Sequence, residues 1–334
     1  MRGPKLFLDF LIAFHDGISY SFFKREDIMR QAIVSFWRNL FYTGLIIPVI
    51  PITLYAETQV GGTISGQTTW NLAGSPYIVD QTVTVAAEAT LTIQAGVEVI
   101  FNRYDRLLVY GQIDAVGTAA SPIIFKGSEA TPGYWRSIDI LGGASGTFAY
   151  CEVYHSGYSS GAGLRMESSG SLSVRNSLFK NNSYAGLHLV EGFSSLVTEN
   201  NRFEENEAGI RLGANVSFLD TTAEFSGNTV APVVVGGLTH TKDVAWKLSP
   251  DAAIYVELMM TVDPGSTLTL REGTVLKFAR YKGIEVKGRL SVEGTEAQPV
   301  HLTDYRDDSV GGDSNNDGTA SAPGPGWWRS INIF

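Results

Sequence analysis

Asn176-Ser177-Leu178-Phe179-Lys180-Asn181-Asn182, followed by Ala185-Gly186-Leu187-His188-Leu189, is a phrase that the chain repeats. It returns as Asn200-Asn201-Arg202-Phe203, Asn206 and Gly209-Ile210-Arg211-Leu212, and Gly163-Leu164-Arg165-Met166 precedes it, a period of about 23 residues. It then degenerates into Phe225, Asn228 and Pro232-Val233-Val234-Val235, where the glycine is missing. A period of this length with several short strands in it is the signature of a parallel β-solenoid. Each coil would stack on the next at about 4.8 Å, with inward Leu, Ile, Val and Phe forming one continuous core. Asn at the turns tolerates left-handed backbone and can hydrogen-bond along the stack. A sandwich of hairpins is the alternative, but it does not account for Gly, Phe and Asn recurring in phase.

Outward from these coils, the chain says one thing twice. Residues 94–126 and 271–303 align without a gap at an offset of about 177. Gly96, Phe101, Arg103, Tyr104, Val109, Gly111, Gly117, Thr118 and Pro122 return as Gly273, Phe278, Arg280, Tyr281, Val286, Gly288, Gly294, Thr295 and Pro299. Trp70 with Thr90-Leu91-Thr92 returns as Trp246 with Thr267-Leu268-Thr269, and Trp135-Arg136-Ser137-Ile138 as Trp328-Arg329-Ser330-Ile331. Alternation such as Thr82-Val83-Thr84-Val85 predicts strands with one buried face.

The phrase of Asn, two residues, an apolar residue, a further Asn and then Gly-Ile/Leu-x-Leu resembles the right-handed parallel β-helix repeat of the pectate-lyase-like superfamily, secreted bacterial type. The resemblance covers roughly residues 70–334. It implies an all-β fold, a right-handed parallel β-helix (solenoid) with two similar strand-rich units. That superfamily mixes lyases, hydrolases, epimerases, adhesins and inactive proteins, so the fold leaves function open.

The N-terminal region has a different character. Met29-Arg30 opens a short basic region containing Arg38, an apolar run follows from Leu40 to Tyr55, and Ala56-Glu57 suits a cleavage site. That is signal-peptide anatomy, and Pro48 and Pro51 weaken it as a membrane span. The expected division is 1–28 as an extension from a mis-assigned start, 29–56 as a signal peptide, 60–145 as a first β-helix unit, 146–243 as regular coils, and 244–334 as a second unit expected to be cut short. The expected location is secreted or cell-surface, with membrane contact only through an uncleaved N-terminal segment. Asp and Glu outnumber Lys and Arg by 34 to 25, which argues against nucleic acid as a partner. The single cysteine, Cys151, is expected to be a core residue.

Aligning coils on the Gly-apolar phrase places Asp139, Arg165, His188, Arg211 and Val234 in one outward column. By the resemblance, this strand precedes the groove that β-helix polysaccharide enzymes use. Two Arg and a His could meet carboxylates or sulfates of a polysaccharide or cell-surface glycan, or they could simply be solvated positions of alternating strands. Neither the Arg-x-Pro-x-x-Arg motif of pectate lyases nor the paired Asp of polygalacturonases is present, and Asp139, Glu152 and Glu167 are scattered candidates for catalysis. Trp135, Trp327, Trp328, Tyr134 and Tyr158 could stack on sugars or pack a solenoid edge.

The second unit carries an insertion that the first lacks, Asp304-Tyr305-Arg306-Asp307-Asp308 and Gly311-Gly312-Asp313-Ser314-Asn315-Asn316-Asp317-Gly318. Asp313, Asn315, Asp317 and Gly318 match the first half of an Asp-x-Asn-x-Asp-Gly calcium loop. Gly324 stands where such a loop ends on a bidentate Glu. Calcium is the cofactor this loop would take, and a plain acidic surface loop is the alternative. The expected function is an exported, non-catalytic β-helix module for binding or adhesion; the alternative is a polysaccharide lyase or glycoside hydrolase.

Overall fold

The structure is a computed structural model that describes residues 57–190, 192–236 and 239–334. The leader expected over 29–56 and the extension over 1–28 lie outside the described residues. Among the described residues no helix is long and apolar enough to cross a membrane.

Short alternating segments stack into a right-handed parallel β-solenoid of about ten turns. Three ladders run along it. The first contains Glu98–Phe101, Ile123–Gly127, Cys151–Tyr154, Leu178–Lys180, Arg202–Glu204 and Glu224–Ser226. The second passes through Leu107–Val109, Ile138–Gly142, Leu164–Ser168, Ala185–Leu189, Ala208–Leu212, Ala231–Val235, Ala253–Val256, Val275–Phe278 and His301–Asp304. The third runs from Gln67–Trp70 to Ser195–Glu199 and resumes at Phe218–Asp220. These pairings are parallel, which excludes the hairpin sandwich.

The repeated phrase has a physical cause in each of its parts. Phe179, Phe203 and Phe225 stack inside the coils, with ring centroids 5.2 and 5.4 Å apart. The glycines of the next strand face that stack. A Cβ on Gly186 would lie 2.7 Å from Phe179 Cβ and 2.8 Å from Phe203 Cδ1, and one on Gly209 would lie 2.7 Å from Phe225 Cδ1. Phenylalanine in one strand therefore requires glycine in the following one, because packed interiors have no room for the extra methyl. Between the two strands, Asn182, Asn206 and Asn228 form a buried side-chain ladder. Asn206 Oδ1 accepts from the backbone N–H and the Nδ2 of Asn182, at 3.1 and 2.8 Å, and Asn228 Oδ1 serves Asn206 in the same way, at 3.1 Å for both. The residue before each ladder Asn takes the left-handed conformation: Asn181, Glu205 and Gly227, at φ 57°, 53° and 63°. The ladder satisfies turn N–H groups that the strand pairings leave free.

Cys151 is buried, as expected, and its Sγ donates to the Ala115 carbonyl at 3.4 Å. The duplication is also visible in the packing. Trp135 stacks on Phe101 at 4.0 Å, and its counterpart Trp328 on Phe278 at 4.8 Å. Trp70 stands in register with Ile93, and Trp246 with Leu270.

The two units are equivalent strand for strand but not face for face. Glu98–Phe101 lies on the first ladder, whereas its copy Val275–Phe278 lies on the second. The first ladder stops at Glu224–Ser226, where the Phe stack ends. A new ladder, Thr239–His240, Met260–Val262, Ile284–Val286 and Ile331–Ile333, opens one coil later. The second ladder continues through both units and is the one that carries the outward column.

Candidate functional site

Outward residues of the second ladder stand in register as Leu108, Asp139, Arg165, His188, Arg211, Val234, Tyr255, Lys277 and Thr303. The expected column from Asp139 to Val234 is therefore present, and it extends three residues further. Its environment is drier than outward strand positions usually are. Asp139 is 4% exposed and Arg211 8%, while Val234 and Lys277 are fully buried.

Asp139 sits among arginines. Arg106 Nη1 is 3.8 Å from its Oδ2, with Arg165 on the next rung and Arg136 close by. Burial pushes the Asp139 carboxyl above the usual carboxylate range, against the opposing pull of the Ser137 hydrogen bond and of these three cations. Arg165 Nη2 pairs with Glu167 at 2.5 Å and keeps 28% of its side chain exposed. His188 packs edge-on to Tyr184, and burial, with help from Arg165 and Arg211, pushes its imidazole down to about 4. It is neutral at pH 7. Arg211 is tied down from three sides, by Glu207 at 2.9 Å, by Glu257 at 3.5 Å and by the Tyr184 ring 4.4 Å beneath it.

The aromatic residues divide sharply. Trp135 is core, and its Nε1 donates to the Tyr154 carbonyl at 2.7 Å. Trp328 packs on Phe278, and Trp327 lies beneath Arg306, 3.6 Å from the guanidinium carbon to the ring centroid. Tyr158 is different. It is 40% exposed and leans on Tyr104, 44% exposed, at 4.2 Å. Tyr104 holds a left-handed backbone, φ 72°, and carries Arg103 over its ring at 4.7 Å. Its copy Tyr281 repeats both features, with φ 60° and Arg280 at 4.7 Å. A bulky residue in that region is strained, and the conformation recurs with the duplicated Arg-Tyr pair.

At the other end of the column the insertion folds across the ladder. Tyr305 stacks on Tyr255 at 4.0 Å, and its hydroxyl donates to the Val230 carbonyl. Lys277 Nζ donates to the Gly312 carbonyl at 2.5 Å, and Gly311 packs against Ala253 and Val275. This cover explains why Lys277 is buried. Beneath it, Ala185, Ala208, Ala231 and Val234 form a second apolar cluster with Tyr184 and Tyr255. Leu108, Arg165 and His188 thus stay half-buried with Asp139 buried between them, while the insertion packs on the column from Val234 to Lys277.

The expected calcium residues do come together in this insertion, with one addition. Ligand atoms of Asp308, Asp313 and Asp317 all lie within 4.8 Å of one another. Asn315 is adjacent, its Nδ2 donating to Asp317 Oδ2 at 2.7 Å.

The family description "right handed beta helix region" matches residues 63–230, half of the chain. No curated protein and no solved structure matches the chain. The matched segment ends just past Ser226, close to where the first ladder stops.

Proposed function

The chain belongs to the right-handed β-helix family, and from that premise we propose that it is an exported, non-catalytic module that binds an anionic polysaccharide. The ligand lies along the second ladder from Leu108 to His188. The observation that carries this reading is the exposed Tyr104–Tyr158 pair beside successive coils bearing Arg106, Asp139 and Arg165. Tyrosine faces offer a stacking surface for sugar rings at low entropic cost. Arginines that keep part of their guanidinium in water supply forked donors for carboxylate or sulfate. Tyr110, also exposed, flanks the far end of the Leu107–Val109 strand, so that strand has an aromatic on either side.

A lyase or hydrolase of the same fold is the second reading, and Asp139 favours it. A buried carboxyl with a raised pKa beside arginines on a ladder face is a candidate acid–base group. Against it, Asp139 is engaged by Arg106 and Glu167 by Arg165, which leaves neither carboxylate unpaired for glycoside hydrolysis.

Affinity electrophoresis in gels containing polygalacturonate, alginate or neutral dextran separates these readings. A binding module is retarded by the acidic polymers at low salt, less so at high salt, and releases no unsaturated or reducing ends. Tyr158→Ala and Arg165→Ala should both reduce the retardation. Release of such ends would favour the enzyme, and no retardation by any acidic polymer would overturn the binding reading.

A further inference from the structure

We propose that the insertion of the second unit is a calcium site whose missing carboxylate comes from Asp308, upstream of the recognisable motif, and that the ion clamps the cover over the closed end of the ladder.

The motif supplies only part of a coordination sphere. Asp313, Asn315 and Asp317 occupy alternate positions before Gly318, the spacing by which short oxygen-bearing side chains surround a hard cation. Gly318 takes φ 67°, the left-handed turn this position requires. Both Asp313 oxygens accept from the loop backbone, Oδ1 from Asp317 N–H at 3.2 Å and Oδ2 from Gly318 N–H at 2.8 Å. The expected twelfth residue is Gly324 and offers no side-chain oxygen. Asp308 fills that role by a different route, since the chain turns back after Ser309 and brings its carboxylate to within 4.8 Å of those of Asp313 and Asp317.

An acidic cluster alone would not point to an ion, because such groups are ordinarily solvated. Here they are not. Asp308 Oδ1, Asn315 Oδ1 and Asp317 Oδ1 each retain less than 1 Å² of accessible surface, and no hydrogen-bond donor reaches any of them. The Asn315 amide is fixed by donating from Nδ2 to Asp317 Oδ2 at 2.7 Å and to Ser321 Oγ at 3.1 Å. Asp317 Oδ2 is satisfied by those neighbours, and its other oxygen is left bare. Buried oxygens without donors are costly, and three in one short loop call for a shared positive partner. Lys277 does not take that place, since its Nζ donates to the Gly312 carbonyl. Carboxylates and an amide oxygen on a flexible loop, with water completing six to eight ligands, match the oxygen coordination that calcium prefers over the strict octahedron of magnesium.

The position gives the ion a consequence. Tyr305 and Gly311, which cover Tyr255, Ala253 and Val275, belong to the same segment as the ligands. Ordering Asp308 and Asp313–Gly318 around an ion therefore holds the cover down.

Isothermal titration of the full chain with calcium chloride, after chelator treatment, tests the site. Thermal melting and terbium luminescence sensitised by Tyr305 provide independent readouts. Saturable binding with a rise in Tm is expected. Asp317→Asn and Asp308→Asn should each weaken Kd by about tenfold or more, while Glu293→Gln, an exposed acid on the third ladder, should leave it unchanged. If either variant loses its β-sheet circular dichroism, terbium binding to the wild-type chain with and without competing calcium still decides. No heat, no Tm shift and no terbium signal at millimolar ion would overturn the site. Full affinity in Asp308→Asn would overturn the assignment of that ligand.

Discussion

The side-chain oxygen of Asn206 accepts two hydrogen bonds from Asn182, one from its backbone N–H and one from its amide. Asn206 in turn donates from Nδ2 to the Phe179 carbonyl at 3.0 Å. One buried side chain thus satisfies polar groups of the coil before it. Asn206→Ala would leave the Asn182 backbone N–H without its acceptor, leave the Asn182 Nδ2 only the Val153 carbonyl, and take the side-chain donor from the Phe179 carbonyl. A buried unsatisfied group costs about 1–3 kcal/mol, so the loss should reach about 3 kcal/mol. Asp at this position keeps the acceptor, but its second oxygen would face the Phe179 carbonyl and Asn228 Oδ1, both acceptors, so the buried carboxylate should cost at least as much as Ala in neutral solution. Solenoid coils are coupled mainly to their neighbours, so hydrogen exchange should show the loss concentrated in residues 151–228 and not at the Trp70 end.

Glycines of this chain should respond to an added methyl according to what they face. Gly186→Ala drives a Cβ into the Phe179–Phe203 stack and should cost about 1–3 kcal/mol, as overpacking does. Gly66 has no positive φ, and a methyl added there would meet nothing within 4 Å. Gly66→Ala should be neutral, or stabilise by about 0.4–1 kcal/mol, through the entropy of the unfolded chain. Urea melts of the two variants beside the wild type check the sign of each. A silent Gly186→Ala would mean that the Gly-apolar phrase does not depend on the Phe stack.

Acid should weaken the fold well above the usual carboxylate range. His240 packs edge-on to Trp246, and burial pushes its imidazole down to about 4; His188 is likewise held near 4. Each group binds a proton at about 6.5 when unfolded. Above that pH neither state is protonated and the histidines make no difference. Between about 6.5 and 4 the unfolded chain binds more protons, so stability falls as pH falls through this window. Tm measured from pH 7.5 to 4.5 should drop, and His240→Leu should remove part of the slope. A wild-type Tm independent of pH in this interval would contradict the burial of both rings.

The two arginines of the column should separate when replaced one at a time. Arg165 pairs with a half-exposed Glu167 and keeps an open guanidinium. Arg165→Ala should change stability by no more than about 0.5 kcal/mol while weakening retention on acidic polymers. Arg211 is nearly buried, bridges Glu207 and Glu257, and covers Tyr184. Arg211→Ala removes packing as well as charge and should cost about 2 kcal/mol, with a smaller effect on retention. Thermal melts and affinity electrophoresis on the same preparations distinguish a binding role from a structural one.

Register along the column was legible in the sequence because side-chain alternation and coil length are both periodic. Gly163, Gly186 and Gly209 fix the phase, and Asp139, Arg165, His188 and Arg211 follow from it. What covers the column was not legible, because it depends on contacts between distant segments. Val234 carried a hint, since an apolar residue at an outward position needs a cover, and Tyr255 on the next strand of the ladder completes it. The shift of ladders after Ser226 was marked only by Pro232 standing where glycine had been. Asp308 was hidden for a related reason. A linear motif registers residues at fixed spacing, whereas this carboxylate reaches the cluster through a backward turn.

Lys277 gives the last test, because it places a buried ammonium near the acidic loop. Burial lowers its pKa even though Asp308, Asp307 and Asp313 pull the other way, and its Nζ is held by the Gly312 carbonyl. In the ion-free protein it is the nearest positive charge that the ladder offers those carboxylates. When calcium enters, the same ammonium repels it. Lys277→Met fills a similar volume without the charge, and because burial disfavours that charge in the fold, the calcium-free variant should be no less stable on electrostatic grounds, while calcium binding should tighten by about tenfold, or about 1.4 kcal/mol, the size of one charge–charge repulsion across a partly screened site. Titration calorimetry and melting curves of Lys277→Met, each with and without calcium, read both effects. A variant with unchanged Kd would place Lys277 outside the field of the ion, and one with weaker binding would reverse the sign argued here.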